Sequence, residues 1–207
     1  MVGPCTALAL LGFVGLTGCG DDGNPSSGGS GGSSNATGGT GQGGTGQGTG
    51  GNAQGTGGNG SDMCANGPLA EPIPNCAPTP LASTGDLHQD CVDRINQFRH
   101  DCQCLPPLAR WTDGEACTDS QSADDQTANA PHGNFGSCGE FAQNTCPNWG
   151  SESDVVNNCL QAMWDEGPGP FDQHGHYVNM SNTDYSKVAC GFSSSGQGVW
   201  SNQNFAP

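Results

Sequence analysis

Apolar positions divide this chain into three unlike stretches. Residues 6–18 form one apolar run, too short to span a bilayer. From Gly20 to Gly60 apolar side chains all but vanish. Beyond residue 86 they return with a period. Leu87, Cys91, Ile95, Phe98 and Cys102 recur at helical spacing behind Ser83-Thr84, a candidate cap, and predict a helix over 86–100. A second, more polar helix is predicted over 113–129, with Ala116, Ser120, Ala123 and Thr127 on its small-residue face. Ser151-Glu152-Ser153-Asp154 is a capping-box pattern ahead of Val156, Cys159, Leu160 and Met163 at i, i+3, i+4, i+7. That third helix is stopped by Gly167-Pro168. The period then changes to two over 176–180, 187–192 and 199–205, predicting three short strands between Asn/Asp/Ser/Gly turns. Helices first and a strand meander last make an α+β domain with an antiparallel sheet.

The N-terminal run ends in Leu16-Thr17-Gly18-Cys19, which resembles a bacterial lipobox. The resemblance implies that 1–19 is a lipoprotein signal peptide, that Cys19 carries the lipid, and that the membrane is a partner through it. No Lys or Arg precedes the run, and an ordinary signal peptide with an incidental Cys is the competing reading. Residues 20–62, mostly Gly, Ser, Thr, Asn and Gln, cannot offset their conformational entropy by burial. They are expected to form a disordered tether, about 35 Å root-mean-square for its roughly 40 residues. A Pro-rich lead-in, 63–85, then precedes the domain at 86–207.

Whole-chain averages of 36 Gly and 32% hydrophobic residues hide this division. All four Trp and every basic residue (Arg94, Arg99, Arg110, Lys187) lie beyond residue 62. Cys64 to Pro207 carries 17 acidic residues against those 4 basic ones, a net −13. Such a surface repels phosphate backbones, so nucleic acid is excluded as a partner. Of 12 cysteines, Cys5 and Cys19 fall in the leader, and the other ten form an even set expected to make up to five disulfides outside the cytoplasm. Only Cys102-Gln103-Cys104 is close-spaced, which argues against a zinc–thiolate cluster. Cys64 and Cys76, both in the Pro-rich segment, are a candidate local pair.

The ordered motifs resemble a family. Gly175-His176-Tyr177-Val178-Asn179-Met180 looks like the GHYTQM signature of the CAP superfamily (cysteine-rich secretory proteins, antigen 5, pathogenesis-related 1), also called SCP-like. Asn96-Gln97-Phe98-Arg99 looks like its first-helix N-x-x-R, followed by Pro107-Leu108 and Trp111, and Gly139-Glu140 sits where the family has GEN. Val188-Ala189-Cys190-Gly191, then Trp200 to Phe205, looks like the closing strand pair. The resemblance covers 86–205 and implies a disulfide-stapled α-β-α sandwich with a central antiparallel sheet. It also implies a cleft lined by His132, Glu140, Glu166 and His176. Phe141 replaces the Asn of GEN, and Trp164 stands one position from its place in Trp-x-x-Glu, leaving Asp165 as the alternative to Glu166.

Two imidazoles in one cleft can take a divalent cation such as Zn2+, with His132 and His176 as ligands. Carboxylates beside them can orient the imidazoles or act as general bases. The competing reading is a hydrogen-bonded His/Glu cluster that joins a loop, a helix and a strand. His174, two residues before His176, would share its face in a strand and add a third ligand; otherwise it is a solvent-facing loop residue. No Ser or Cys nucleophile arrangement stands out. The expectation is therefore an extracytoplasmic, lipid-anchored, non-catalytic binding module with an unknown extracellular ligand. A metal-dependent hydrolase and a lipid or sterol carrier are the alternatives.

Overall fold

The computed structural model describes residues 63–207; the leader, the lipid attachment at Cys19 and the tether lie outside the described residues. Helix α1 (Leu87–Gln97) runs on into a wider, π-helical turn over Phe98–Cys102. Strand β1 (Ala109–Arg110) and helix α2 (Thr112–Ala128) follow, then strand β2 (Ala142–Trp149). Helix α3, over 152–165, holds a π-helical stretch at Val155–Cys159. Helix α4 (Phe171–Ser181) and strands β3 (Lys187–Ser195) and β4 (Gly198–Ala206) complete the chain. The sheet order is β1-β3-β4-β2. β3–β4 and β4–β2 are antiparallel, and the two-residue β1 adds a parallel edge to β3.

The fold is α+β, with helices on both faces of the sheet. One face is apolar. Val92, Ile95 and Phe98 of α1 are buried with Leu160 of α3 and Met180 of α4 against Val188 and Phe205. Each such side chain contributes about 1.5–3 kcal/mol on burial. Trp164 links the helices by stacking on Phe98 (5.7 Å) and meeting Tyr177 edge-on (5.0 Å).

The other face is polar, and the small-residue side of α2 turns away from it. Ala116, Ser120, Ala123 and Thr127 are exposed, while Thr118, Gln121, Ser122 and Asp125 are buried against the sheet. β4 offers this face Asn202 and Asn204, so the helix side able to hydrogen-bond them turns inward. Ser122 Oγ accepts from Asn202 N (3.1 Å), and Asn202 donates to Asp125 (2.9 Å). Closeness matters too: a Cβ on Gly191 of β3 would lie 2.2 Å from the Thr118 carbonyl carbon, so only glycine lets α2 pack there.

Two further expectations are corrected, and one strand was not expected. Residues 176–180 are helical, not a strand: Tyr177 and Met180, three apart, are buried on one helical face, and five residues are too few for period two to exclude that. β2 escaped the pattern because its core, Ala142-Gln143-Asn144-Thr145-Cys146, is buried but largely polar. Trp149 ends β2 opposite Val199. Cys64 and Cys76 do not pair with each other. They bond Cys104 and Cys102, which lay the lead-in along the end of α1, with Leu69 N and Ile73 N donating to the carbonyls of Gln103 and Cys102. The lead-in's prolines lack N–H donors, so this long-range cross-linking replaces a ladder. The other bridges are Cys91–Cys190, Cys117–Cys138 and Cys146–Cys159.

The α1 cap is Asp86, not Ser83 or Thr84: its carboxylate accepts from Gln89 N (3.2 Å), while Ser83 and Thr84 bind Asp90. The Arg110 hydrogen bonds first, and the Gln89 N–H second, hold the Asp86 carboxyl below its usual 3.8. A lowered folded-state pKa contributes stability above the unfolded value that disappears as pH falls through the folded one. Asp86→Asn keeps the cap but removes this linkage. Thermal melts across the acid range are expected to show wild type ahead of Asp86→Asn at neutral pH and the gap closing below pH 3.8; a gap constant with pH would refute it.

A cleft between a loop, a helix junction and an edge strand

His132 lies in the loop that joins α2 to β2, with a left-handed backbone (φ 62°) that His adopts more readily than most residues. The loop is pinned by the Cys117–Cys138 bridge and by Ala130 N donating to the Asp125 carbonyl (3.0 Å). His176 lies just past a break in α4 at His174, whose backbone is non-helical (φ −127°). The break creates a fresh helix start, and Glu166, at the end of α3, caps it. Its Oε2 accepts from His176 N (3.0 Å) and Tyr177 N (3.3 Å), while Oε1 meets His176 Nδ1 at 2.5 Å. A carboxylate is favourable at a helix N-terminus, and here it also orients the imidazole.

His132, Glu166 and His176 line one cleft of about 300 Å3 with Gln143 and Asn144 of edge strand β2 and Asn179 of α4. Asn144 donates to the His176 carbonyl (3.1 Å) and accepts from Asn179 (2.9 Å), tying helix to strand. His132 Nδ1 meets Gln143 Oε1 at 2.9 Å. Each imidazole thus spends Nδ1 on an acceptor, which leaves Nε2 for a ligand.

Glu140 lies behind the cleft rather than along it. It is buried and accepts from Gly136 N (2.6 Å), Cys138 N (2.9 Å) and Gln121 Nε2 (2.6 Å). Asp165 is exposed and bonds Gln161, so Glu166 is the carboxylate at the site. His174 does not share a face with His176: on a helix two residues apart diverge, and His174 Nδ1 meets the carbonyls of Glu166 (2.6 Å) and Gly167 (3.0 Å). His88 is half-buried against Asp119 (3.1 Å).

Among the described residues, no three His, Cys, Asp or Glu side chains come close enough together to hold a metal. Pattern reading missed Gln143, Asn144 and Asn179. Their signal was present: a run of amides where an apolar stripe was sought.

The frame around the cleft is that of a CAP domain. Residues 92–205 match the cysteine-rich secretory protein family, and the chain belongs to it. A search of curated protein sequences finds no match. Among solved structures the chain is similar to BmVAL-1 (15% identity, TM-score 0.45, covering 64% of this chain and 81% of that one). It is also similar to Na-ASP-1 (14% identity, TM-score 0.44), matching 68% of this chain but only 43% of that one. Membership and five disulfides point to an extracellular setting. No helix of the described residues is long and apolar enough to cross a membrane.

Proposed function

We propose that this protein is a non-catalytic binding module outside the cytoplasm, held to a membrane by lipid on Cys19. Its His132/His176 cleft takes a divalent cation, zinc fitting best, and presents that cation to an extracellular ligand. One observation carries the reading: both imidazoles have Nδ1 engaged, on Glu166 and on Gln143, and both line the same cleft. An imidazole oriented through one nitrogen is a better ligand through the other. Zinc bound here would supply a Lewis acid. The two glutamates named from the sequence favour binding over turnover, since both are already committed. Glu140 accepts three N–H bonds, and Glu166 holds one imidazole and two backbone N–H groups.

Calorimetry of the oxidised protein with zinc alone is the test. The expected result is a one-to-one site at about micromolar Kd or tighter (roughly −8 kcal/mol), lost in both His132→Ala and His176→Ala. No heat of binding in folded wild type would reduce the four residues to a structural cluster.

A further inference from the structure

The hydrogen bond to His132 comes from a glutamine, whose amide can present either end. We infer that Gln143 is the positioning residue that holds His132 as its Nδ1–H tautomer, and that two buried chains of hydrogen bonds lock Gln143 in the one direction that allows this.

The first chain starts at Glu140. Gln121, 2% exposed, faces three acceptors at its Nε2: Glu140 Oε1 (2.6 Å), the Asn134 carbonyl (2.9 Å) and Ser137 Oγ (3.0 Å). A carboxylate and a carbonyl accept only, so the NH2 of Gln121 must lie on that side. Its Oε1 therefore faces inward, where it takes the NH2 groups of Gln143 (3.1 Å) and Asn204 (2.6 Å).

The second chain starts at a backbone carbonyl. Thr118 Oγ donates to the Gly114 carbonyl (2.9 Å), so toward Asn204 it accepts (3.1 Å). Asn204 Nδ2 is thereby fixed, and its Oδ1 takes a second bond from Gln143 Nε2 (2.9 Å). Both chains call for the NH2 of Gln143 on the inner side. Its Oε1 is left facing His132, and an amide oxygen requires a proton on Nδ1. Gln143 is itself 6% exposed and Asn204 fully buried, so reversing either amide would strand several groups away from water at once. Thr145 Oγ, 3.4 Å from Nδ1, is too long to replace this bond. A neutral histidine side chain in water favours the Nε2–H tautomer, so the pocket works against the intrinsic preference and leaves the Nε2 lone pair unprotonated.

The consequence for zinc rests on the reading above; the tautomer does not. The experiment is 15N-detected imidazole NMR of the oxidised protein at alkaline pH, with His132 assigned by its loss in His132→Ala. Wild type is expected to show a protonated Nδ1 and a bare Nε2. Gln143→Met, similar in length but unable to accept, is expected to move His132 to mainly Nε2–H. It should also weaken zinc binding on the order of 10- to 100-fold. Gln143→Glu restores an acceptor and is expected to keep the Nδ1–H signature while melting lower, because its carboxylate meets the oxygens of Gln121 and Asn204. A purely structural Gln143 would not separate these variants in tautomer. An Nε2–H signature in wild type, or an unchanged Nδ1–H signature in folded Gln143→Met, overturns the inference. If Gln143→Met does not fold, the wild-type spectrum alone still decides. Zinc added to the same wild-type sample separates the two claims. A correct tautomer with no zinc response sinks the metal reading only, and zinc binding with the wrong tautomer sinks this one only.

Discussion

Replacing both Cys91 and Cys190 by alanine is expected to cost about 4–5 kcal/mol, the largest loss from any one cross-link in the domain. The bridge closes 99 residues of sequence, and loop-closure entropy for a loop of that size is about 4.7 kcal/mol. Both sulfurs lie in the core, fully buried, and join α1 to β3. Chain entropy and packing therefore act in the same direction. The bridge between Cys146 and Cys159 closes only 13 residues and is expected to contribute about 3 kcal/mol. In thermal melts the first double variant should fall by about 10–20 °C and the second by less. A Cys146/Cys159 variant less stable than the Cys91/Cys190 variant would contradict the entropic ordering.

Removing the Arg99 guanidinium is expected to cost about 3–5 kcal/mol. Arg99 is 1% exposed, and burial lowers its pKa to about 10. It has three carbonyl partners: Nε donates to Pro106 (2.9 Å), and Nη1 to Met180 (2.6 Å) and Asn182 (3.0 Å). One side chain thus joins the end of α1, the loop before β1 and the end of α4. Arg99→Met strips all three acceptors of a charged donor away from water. Arg99→Lys is expected to recover only part of the loss, because a single ammonium cannot reach both sides of a planar fork. Urea titrations of the three proteins give the order. A lysine variant within about 1 kcal/mol of wild type would show that charge, not the fork, matters here.

Arg99 also shows what kind of information the sequence carried. The N-x-x-R of α1 was readable as a motif, and the structure supplies its physics. Asn96 clamps Leu108 through both backbone groups (2.9 and 2.7 Å), while Arg99 fastens the segments on either side. The α3 cap was readable for a similar reason. Ser151 accepts from Asp154 N three residues away, an interaction that needs no knowledge of the rest of the chain. Glu166 and His176 were named from motif positions, and their contact across ten residues followed.

The site was less legible on the Glu140 side. That carboxylate was expected along the cleft beside His132, and it reaches His132 only through Gln121 and Gln143. Nothing local distinguishes those glutamines from solvent-facing ones. Their burial depends on Asn204 arriving from β4, 83 residues after Gln121 and 61 after Gln143. Hydrophobic periodicity misleads in such a place, because the buried face of α2 is chosen by what it can hydrogen-bond rather than by what it excludes from water.

The sequence by itself determined the α+β class, the three helices of 86–166, the closing hairpin and the family. Each of these follows from spacing, caps and turns that act within about a dozen residues. Tertiary structure alone decided the disulfide partners, the helical state of 176–180, the strand at Ala142–Trp149, the inward face of α2 and the separation of Glu140 from the cleft. Those outcomes turn on contacts between residues far apart in the chain, where a polar group is stable in the interior only if its partner is delivered by another element.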